Sequence, residues 1–178
     1  MKKKLKFLLS LIDATSEYTG KFYGIFLIVF LVGVITVEVI ARYGFNRPIP
    51  GVHDAMTAYF GAYYLMAGAY TLLVGAHVRV DVLWMHFKPR GRAILDLITF
   101  PLFLLFMGVL VVYGWKFAMA ATWSSSAGWI LEFDHSFLKF PLFPLKWTIP
   151  IGGLLLLLQG IAKFVRDVHL VATRKALE

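Results

Sequence analysis

The stretch that decides the fold is Gly75-Ala76-His77-Val78-Arg79-Val80-Asp81-Val82-Leu83-Trp84. It carries several ionisable side chains, yet it lies between two long apolar segments, and the basic residues Lys88, Arg90 and Arg92 follow it closely. A basic turn between two apolar spans is typical of a cytoplasmic loop in a membrane protein. This loop therefore predicts the direction of the helices on both sides of it.

The composition indicates a membrane protein. Of the 178 residues, 60% are hydrophobic and only 16% are charged, whereas a soluble domain is nearer one half and one quarter. The chain has no cysteine, so a disulfide framework and a thiolate metal site are excluded. The formal net charge of +8 would also fit nucleic-acid binding. The basic residues cluster at the ends of apolar segments, however, which suits anionic lipid headgroups better.

The hydropathy pattern predicts an all-α integral membrane protein in a single domain over residues 1–178. Four spans are expected over about 22–41, 55–76, 97–121 and 147–164, since about 20 apolar residues cross a bilayer. An amphipathic helix over 1–18 is expected to lie on the membrane surface. A secretory signal is the alternative for this segment, but Ser10 and Asp13 interrupt its apolar run and no small-residue cleavage site follows.

The distribution of lysine and arginine predicts the orientation of the spans. Thirteen of the 18 basic residues lie in the two terminal segments and in the central loop. The other five lie on the opposite side, in the two remaining loops or at the far end of the third span, and these are Arg42, Arg47, Lys116, Lys139 and Lys146. Both termini and residues 79–92 are therefore expected in the cytoplasm, and the loops over 42–54 and 122–146 are expected on the outer side.

Polar residues inside the spans are few, and Glu38 is the one acid among them. An intramembrane acid can be an ion or proton site. Arg42 follows four residues later, at the spacing that places both side chains on one helix face, so the sequence favours an ion pair near the interface. Gln159 is the only strongly polar residue inside the fourth span.

Small residues recur every seven positions in the second span, as Gly61-Ala62, Gly68-Ala69 and Gly75-Ala76. Small side chains let helix backbones approach closely in lipid, and a period of seven implies a left-handed crossing. We expect Gly61, Gly68 and Gly75, with Ala62 and Ala69, to line a helix contact inside the chain or with a partner. The alternative is that glycine and alanine are simply common in membrane helices.

The sequence lacks the residue patterns of a stand-alone enzyme or carrier. Its five histidines lie in loops or at span ends, which disfavours a haem held inside the bundle. Glu132, Asp134 and His135 make only a weak candidate metal cluster. A carrier would need several buried polar groups and broken helices. The sequence therefore predicts no catalytic, cofactor-binding or metal residue, and indicates a subunit of a larger assembly.

Three ordered motifs resemble those of one family. The sequence Arg42-Tyr43-Gly44-Phe45-Asn46-Arg47-Pro48 resembles the Arg-Tyr-x-Phe-Asn-x-Pro signature of the small membrane subunit (DctQ-like) of tripartite ATP-independent periplasmic (TRAP) transporters. The His-Val-x-Val-Asp loop of that family is similar to residues 77–81, and its last span is similar to residues 144–160. One departure is that Gly51, His53 and Asp54 stand where family members usually carry a tryptophan and a pair of glutamates.

The resemblance implies a four-helix subunit of a multi-pass protein of the bacterial inner membrane. Its partners would be a large membrane subunit that holds the substrate and sodium sites, a periplasmic binding protein that delivers an organic acid, and membrane lipids. No cofactor is expected in this chain and no nucleic acid among its partners. The motif residues expected to be structural are Glu38, Arg42, Asn46, Pro48, His77, Arg79, Asp81 and Gln159. Candidate contacts for the binding protein are Arg47, Asp54, Glu132, Asp134 and Lys139.

Two other functions stay open on the sequence alone. A membrane anchor subunit of a redox enzyme complex is the main alternative, and the positions of the histidines argue against it. A small self-sufficient carrier is the second, and it is disfavoured because the spans contain so few polar residues.

Overall fold

The computed structural model describes residues 2–76, 87–124, 128–135 and 139–173. Within them the chain forms helices α1 (Lys2–Lys21), α2 (Ile28–Val39), α3 (Val52–Leu73), α4 (Pro89–Thr122) and α5 (Phe143–Thr173). A short antiparallel ladder of β1 (Trp123–Ser124) and β2 (Gly128–Trp129) follows α4. The prediction of a mainly helical chain is confirmed.

The first two helices form one continuous rod. A π-helical segment, Phe22–Leu27, joins α1 to α2, and a second one, Ile40–Gly44, follows α2, so the chain is helical from Lys2 to Gly44. The sequence predicted a separate surface helix over 1–18 and a span that begins at residue 22. Nothing in this stretch breaks the helix, because it contains no proline to remove a backbone donor. In addition, α1 packs against α3 and α5.

Within the part of the chain that the structure describes, three helical segments are long and apolar enough to cross a membrane, and they contain three of the four predicted spans. They are Lys6–Gly44 with 39 residues, α4 with 34 and α5 with 31. The predicted span over 55–76 corresponds closely to α3, whose 22 residues extend about 33 Å at 1.5 Å per residue. Four tyrosines lower its apolar character, and α3 is not among these three segments.

Helices α4 and α5 extend beyond their predicted spans at both ends. Pro89 occupies the first turn of α4, where proline loses no hydrogen bond. Similarly, α5 continues to Thr173, past the predicted end of the fourth span at residue 164. Hydropathy marks only the apolar middle of a helix, so the polar turns that prolong it are missed.

The centre of the bundle is α3, which packs against α1, α2 and α5, while α4 packs against α5. Alanines on α3, Ala62 and Ala69, are buried. The backbones of α3 and α5 approach closely, since a Cβ on Gly152 would lie 2.9 Å from the carbonyl oxygen of Leu65. Only a residue without a side chain permits this crossing.

Candidate functional site

Glu38 fastens the end of the first rod to the loop that follows it. Its carboxylate is buried and accepts hydrogen bonds from Nη2 and Nε of Arg42, at 2.7 and 3.1 Å. The other carboxylate oxygen accepts the backbone N–H of Ile49 at 2.9 Å. The predicted ion pair of Glu38 with Arg42 is confirmed, and the contact with Ile49 is an addition that the sequence did not indicate.

The Arg-Tyr-Gly-Phe-Asn-Arg-Pro motif terminates this rod. Asn46 has a left-handed backbone with φ of 52°, a conformation that asparagine adopts more readily than most residues. The N–H of Arg47 then donates to the carbonyl of Ala41 at 2.9 Å, which satisfies a carbonyl at the helix end as in a C-terminal cap. Pro48 follows and cannot continue a helix.

In the second loop, between α4 and α5, several hydrogen bonds and an ion pair are centred on Glu132. The backbone N–H of Glu132 donates to the carbonyl of Ala121, and its own carbonyl accepts the N–H groups of Leu142 and Phe143. Its carboxylate forms an ion pair with Lys146, whose ammonium lies 4.4 Å from the ring centroid of Phe117. Glu132 therefore holds the loop between α4 and α5. Its carboxylate is already engaged by the ion pair with Lys146.

The two loops lie at the same end of the bundle. We call it the hairpin end, and it comprises residues 40–51, the start of α3 and the described part of residues 123–142. The rings of Tyr59 in α3 and Phe140 in the second loop are 6.3 Å apart. Trp123 and Trp129 contact edge to face across the ladder, with centroids 5.5 Å apart. These ring contacts hold the second loop against α3 and the two strands of the ladder against each other.

The predicted contacts for the binding protein differ in how exposed they are in the structure. Arg47, Asp54 and Lys139 are exposed at the hairpin end, where a soluble partner could reach them. Glu132 is half-buried and paired with Lys146. Asp134 is half-buried as well, and its N–H donates to the carbonyl of Phe140 at 2.9 Å.

A polar network joins α1 to α5 in the other half of the bundle. Gln159 is buried and accepts a hydrogen bond from the hydroxyl of Ser16 at 3.0 Å. Its amide nitrogen donates to Asp13 at 3.1 Å, and Asp13 also pairs with Arg166. The polar face of α1 therefore packs against α5, and this contact accounts for the one strongly polar residue predicted inside the fourth span.

Ion pairs extend this network to α4. Lys163 of α5 pairs with Asp96 of α4 and with Asp167 one turn later in its own helix. The acidic partners of Lys163 and Arg166 were not predicted from the sequence. The four-residue spacing of Lys163 and Asp167 is the one local signal for such a pair, because Asp13 and Asp96 come from distant parts of the chain.

The small residues of α3 do not share one environment. Gly68 meets only the side chain of Leu156, at 3.7 Å, and no atom lies within 4 Å of the position that a Cβ on Gly61 would take. Gly75 lies beyond the end of α3 with φ of 72°, so it is not part of a helix face as predicted. A heptad pattern cannot show where a helix ends.

Three motif residues of the central loop, His77, Arg79 and Asp81, lie outside the described residues, and their predicted structural role stays a prediction. Among the described residues, no group of three or more histidine and acidic side chains could hold a metal ion.

The family model described as Tripartite ATP-independent periplasmic transporters, DctQ component, matches residues 31–170. The chain belongs to this family. The DctQ match spans well over half of the sequence and confirms the resemblance drawn from the three motifs. A comparison with curated proteins finds no match.

Membership of the DctQ family makes the chain a transporter component, and the family is not one of enzymes. The matched region contains the Glu38 contacts, both loops of the hairpin end, and Gln159. Asp13 and Ser16 precede it, so the contact of α1 with α5 joins a segment outside the family match to one inside it.

Proposed function

We propose that the chain is the small scaffold subunit of a sodium-coupled TRAP transporter that imports an organic acid. The acid, a carboxylate or a sulfonate, would be delivered by a periplasmic binding protein. The large membrane subunit would hold the substrate and sodium sites, and this chain would brace it. The DctQ match over residues 31–170 carries this proposal.

The use of polar groups inside the bundle supports a scaffold. A carrier presents polar groups and broken helices near the middle of the membrane to hold its substrate. Here Glu38 is bonded to Arg42 and Ile49, and Gln159 is bonded to Ser16 and Asp13. These side chains hold helices and loops in place, so they are poorly suited to replace the hydration of a passing anion. We therefore assign this chain no enzymatic, cofactor or ion-binding role of its own.

The proposed placement has four spans in the inner membrane, with both termini in the cytoplasm. In this arrangement α3 is the second span, and its length of about 33 Å is sufficient for the hydrocarbon core of about 30 Å. The hairpin end would then face the periplasm. Its exposed charged residues Arg47, Asp54 and Lys139 would help the binding protein to dock.

Reconstitution tests the division of labour between the subunits. Proteoliposomes are prepared with this chain alone, with the large subunit alone and with both, and each receives the binding protein, labelled organic acids and an inward sodium gradient. We expect label to accumulate only when both membrane subunits are present, because neither alone offers both a braced scaffold and a substrate site.

Two controls make this result specific. Replacing sodium by potassium should abolish the accumulation, and omitting the binding protein should reduce it to background. Saturable uptake driven by sodium with this chain alone would contradict the scaffold assignment, and full uptake by the large subunit alone would show that no brace is needed.

A further inference from the structure

One face of the central helix α3 is uncovered, although other helices pack around it. Thr57, Gly61 and Tyr64 are exposed, and their spacing of four and three residues places them on one side of the helix. The remaining sides of α3 contact α1, α2 and α5. A helix in the centre of the bundle thus has a stripe that this chain leaves open.

The chemistry of this stripe is unsuited to lipid chains. Gly61 forms a notch, because no atom lies within 4 Å of the position of a Cβ there. Tyr64 is 69% exposed, and its hydroxyl has no hydrogen-bond partner among the described residues. Tyr64 lies twelve residues after Val52, or about 18 Å along the helix, which is near the middle of a core of about 30 Å. A hydroxyl at that depth is costly unless a protein group pairs with it.

The exposed face of α4 provides the contrast. Ile98, Leu102, Leu105, Val109 and Val112 are between 49% and 72% exposed and follow helical spacing over four turns. Every side chain of this stripe is large and apolar, which is what hydrocarbon tails accept without penalty. On α4, Gly108 also faces open space, and the exposed Tyr113 lies beside Lys116 towards the end of the helix. The stripe on α3 differs because it combines an open glycine with a hydroxyl near the middle of the core.

We infer that the Thr57–Gly61–Tyr64 stripe is the docking surface for a transmembrane helix of the large subunit, and that the α4 face contacts lipid. Interfaces between membrane helices are rich in small residues that admit a close backbone, and in polar groups that bond across the contact. A partner helix would cross at Gly61 and present a hydrogen-bonding group to Tyr64. This inference rests on the proposed function, because it needs α3 in the membrane and a large membrane subunit as partner.

Substitution of two matched glycines tests the surface. Gly61→Leu fills the proposed notch, and Gly108→Leu adds the same side chain to α4, where no atom lies within 4 Å of a Cβ either. At both positions an added Cβ meets open space, and both changes replace glycine by a better helix former. The tagged chain is purified from membranes that also contain the large subunit. We expect Gly61→Leu to lower the recovered large subunit about tenfold, as overpacking of a contact does, and Gly108→Leu to leave it unchanged.

Photo-crosslinking identifies the occupant directly. Benzoylphenylalanine replaces Tyr64 in one variant and Leu105 in the other, and mass spectrometry identifies any adduct. The large subunit should be captured from position 64 and not from position 105. An adduct of two copies of this chain at position 64, the absence of a protein adduct there, or capture of the large subunit at position 105 would overturn the inference.

Recovery of the large subunit with the wild-type chain separates a failure of the proposed function from a failure of the docking surface. If the wild-type chain does not recover the large subunit, the proposed function fails and the docking surface fails with it. If the wild-type chain recovers the large subunit, Gly61→Leu could still recover the same amount, or Gly108→Leu could lose as much of it as Gly61→Leu does. In either case only the assignment of the docking surface is wrong.

Discussion

At the scale of single residues, Glu38 shows how an acid is retained in an apolar helix. Its carboxylate receives two donors from Arg42 and one from the backbone of Ile49. Arg42 is itself about half exposed, with 45% of its side chain accessible, so water or a lipid phosphate can replace its partner. The N–H of Ile49 belongs to the backbone and cannot move away as easily. Glu38 should therefore matter more for the fold than Arg42.

Substitutions at this pair should follow that order. We expect Glu38→Ala to lower the midpoint of thermal unfolding in detergent more than Arg42→Ala does. Glu38→Gln should lie between the wild type and Glu38→Ala, because an amide oxygen can still accept the N–H of Ile49. Fluorescence-detected unfolding of the purified variants measures the order. Equal midpoints for Glu38→Ala and Arg42→Ala would mean that the bond to Ile49 contributes nothing.

Gln159 allows a sharper test, because one of its partners can be removed with it. Gln159→Leu leaves the buried hydroxyl of Ser16 without its acceptor, and an unsatisfied buried polar group costs about 1–3 kcal/mol. Adding Ser16→Ala removes that hydroxyl, so the double variant should regain part of the lost stability. Denaturant unfolding in detergent gives the free energies. Strictly additive losses in the double variant would show that the Ser16 bond is not coupled to Gln159.

At the scale of elements, the sequence predicts where helices lie better than where they begin and end. The apolar runs located α2, α4 and α5, since hydropathy reports the transfer of side chains into lipid. The same signal missed the first turns of α4 and the last turns of α5. Proline and arginine lower the hydropathy there, yet Pro89, Arg90 and Arg166 are part of these helices. The continuity of the first rod was also missed, because an amphipathic segment followed by an apolar one resembles two separate helices.

Contacts between distant segments of the chain are the part of the candidate site that the sequence could not predict. The pair of Glu38 and Arg42 was predictable from a spacing of four residues. The partners of Gln159 were not, because Asp13 and Ser16 are more than 140 residues away along the chain. Small residues were an ambiguous signal for helix contacts, because the partner helix also comes from a distant part of the chain. The repeat in α3 was visible, but the glycines that lie closest to α3 belong to other helices: Gly20 of α1 lies against Tyr70, and Gly152 of α5 lies against Leu65.

At the scale of the whole molecule, polar contacts are concentrated in two places and the surface between them is largely apolar. The Glu38 and Glu132 contacts order the hairpin end. The network of Asp13, Gln159 and Lys163 joins α1, α4 and α5 in the other half of the bundle. Long apolar faces such as that of α4 connect the two. This arrangement fits a rigid brace, whose helices are fixed to one another while its sides remain available to lipid and to a partner subunit.

Accessibility in intact cells tests the orientation of that brace. The chain has no cysteine, so Asn46→Cys, His135→Cys and Lys88→Cys each introduce a single thiol. Asn46 and His135 are exposed at the hairpin end, and Lys88 is exposed just before α4. The excess of basic residues in the terminal segments and the central loop predicts that Lys88 faces the cytoplasm and the hairpin end faces the periplasm. An impermeant maleimide should therefore label the thiols at positions 46 and 135 in intact cells. It should reach position 88 only after the membrane is permeabilised, which also shows that this thiol is reactive. Labelling of position 88 alone in intact cells would invert the orientation, and equal labelling at all three positions would exclude an odd number of spans between residues 46 and 88.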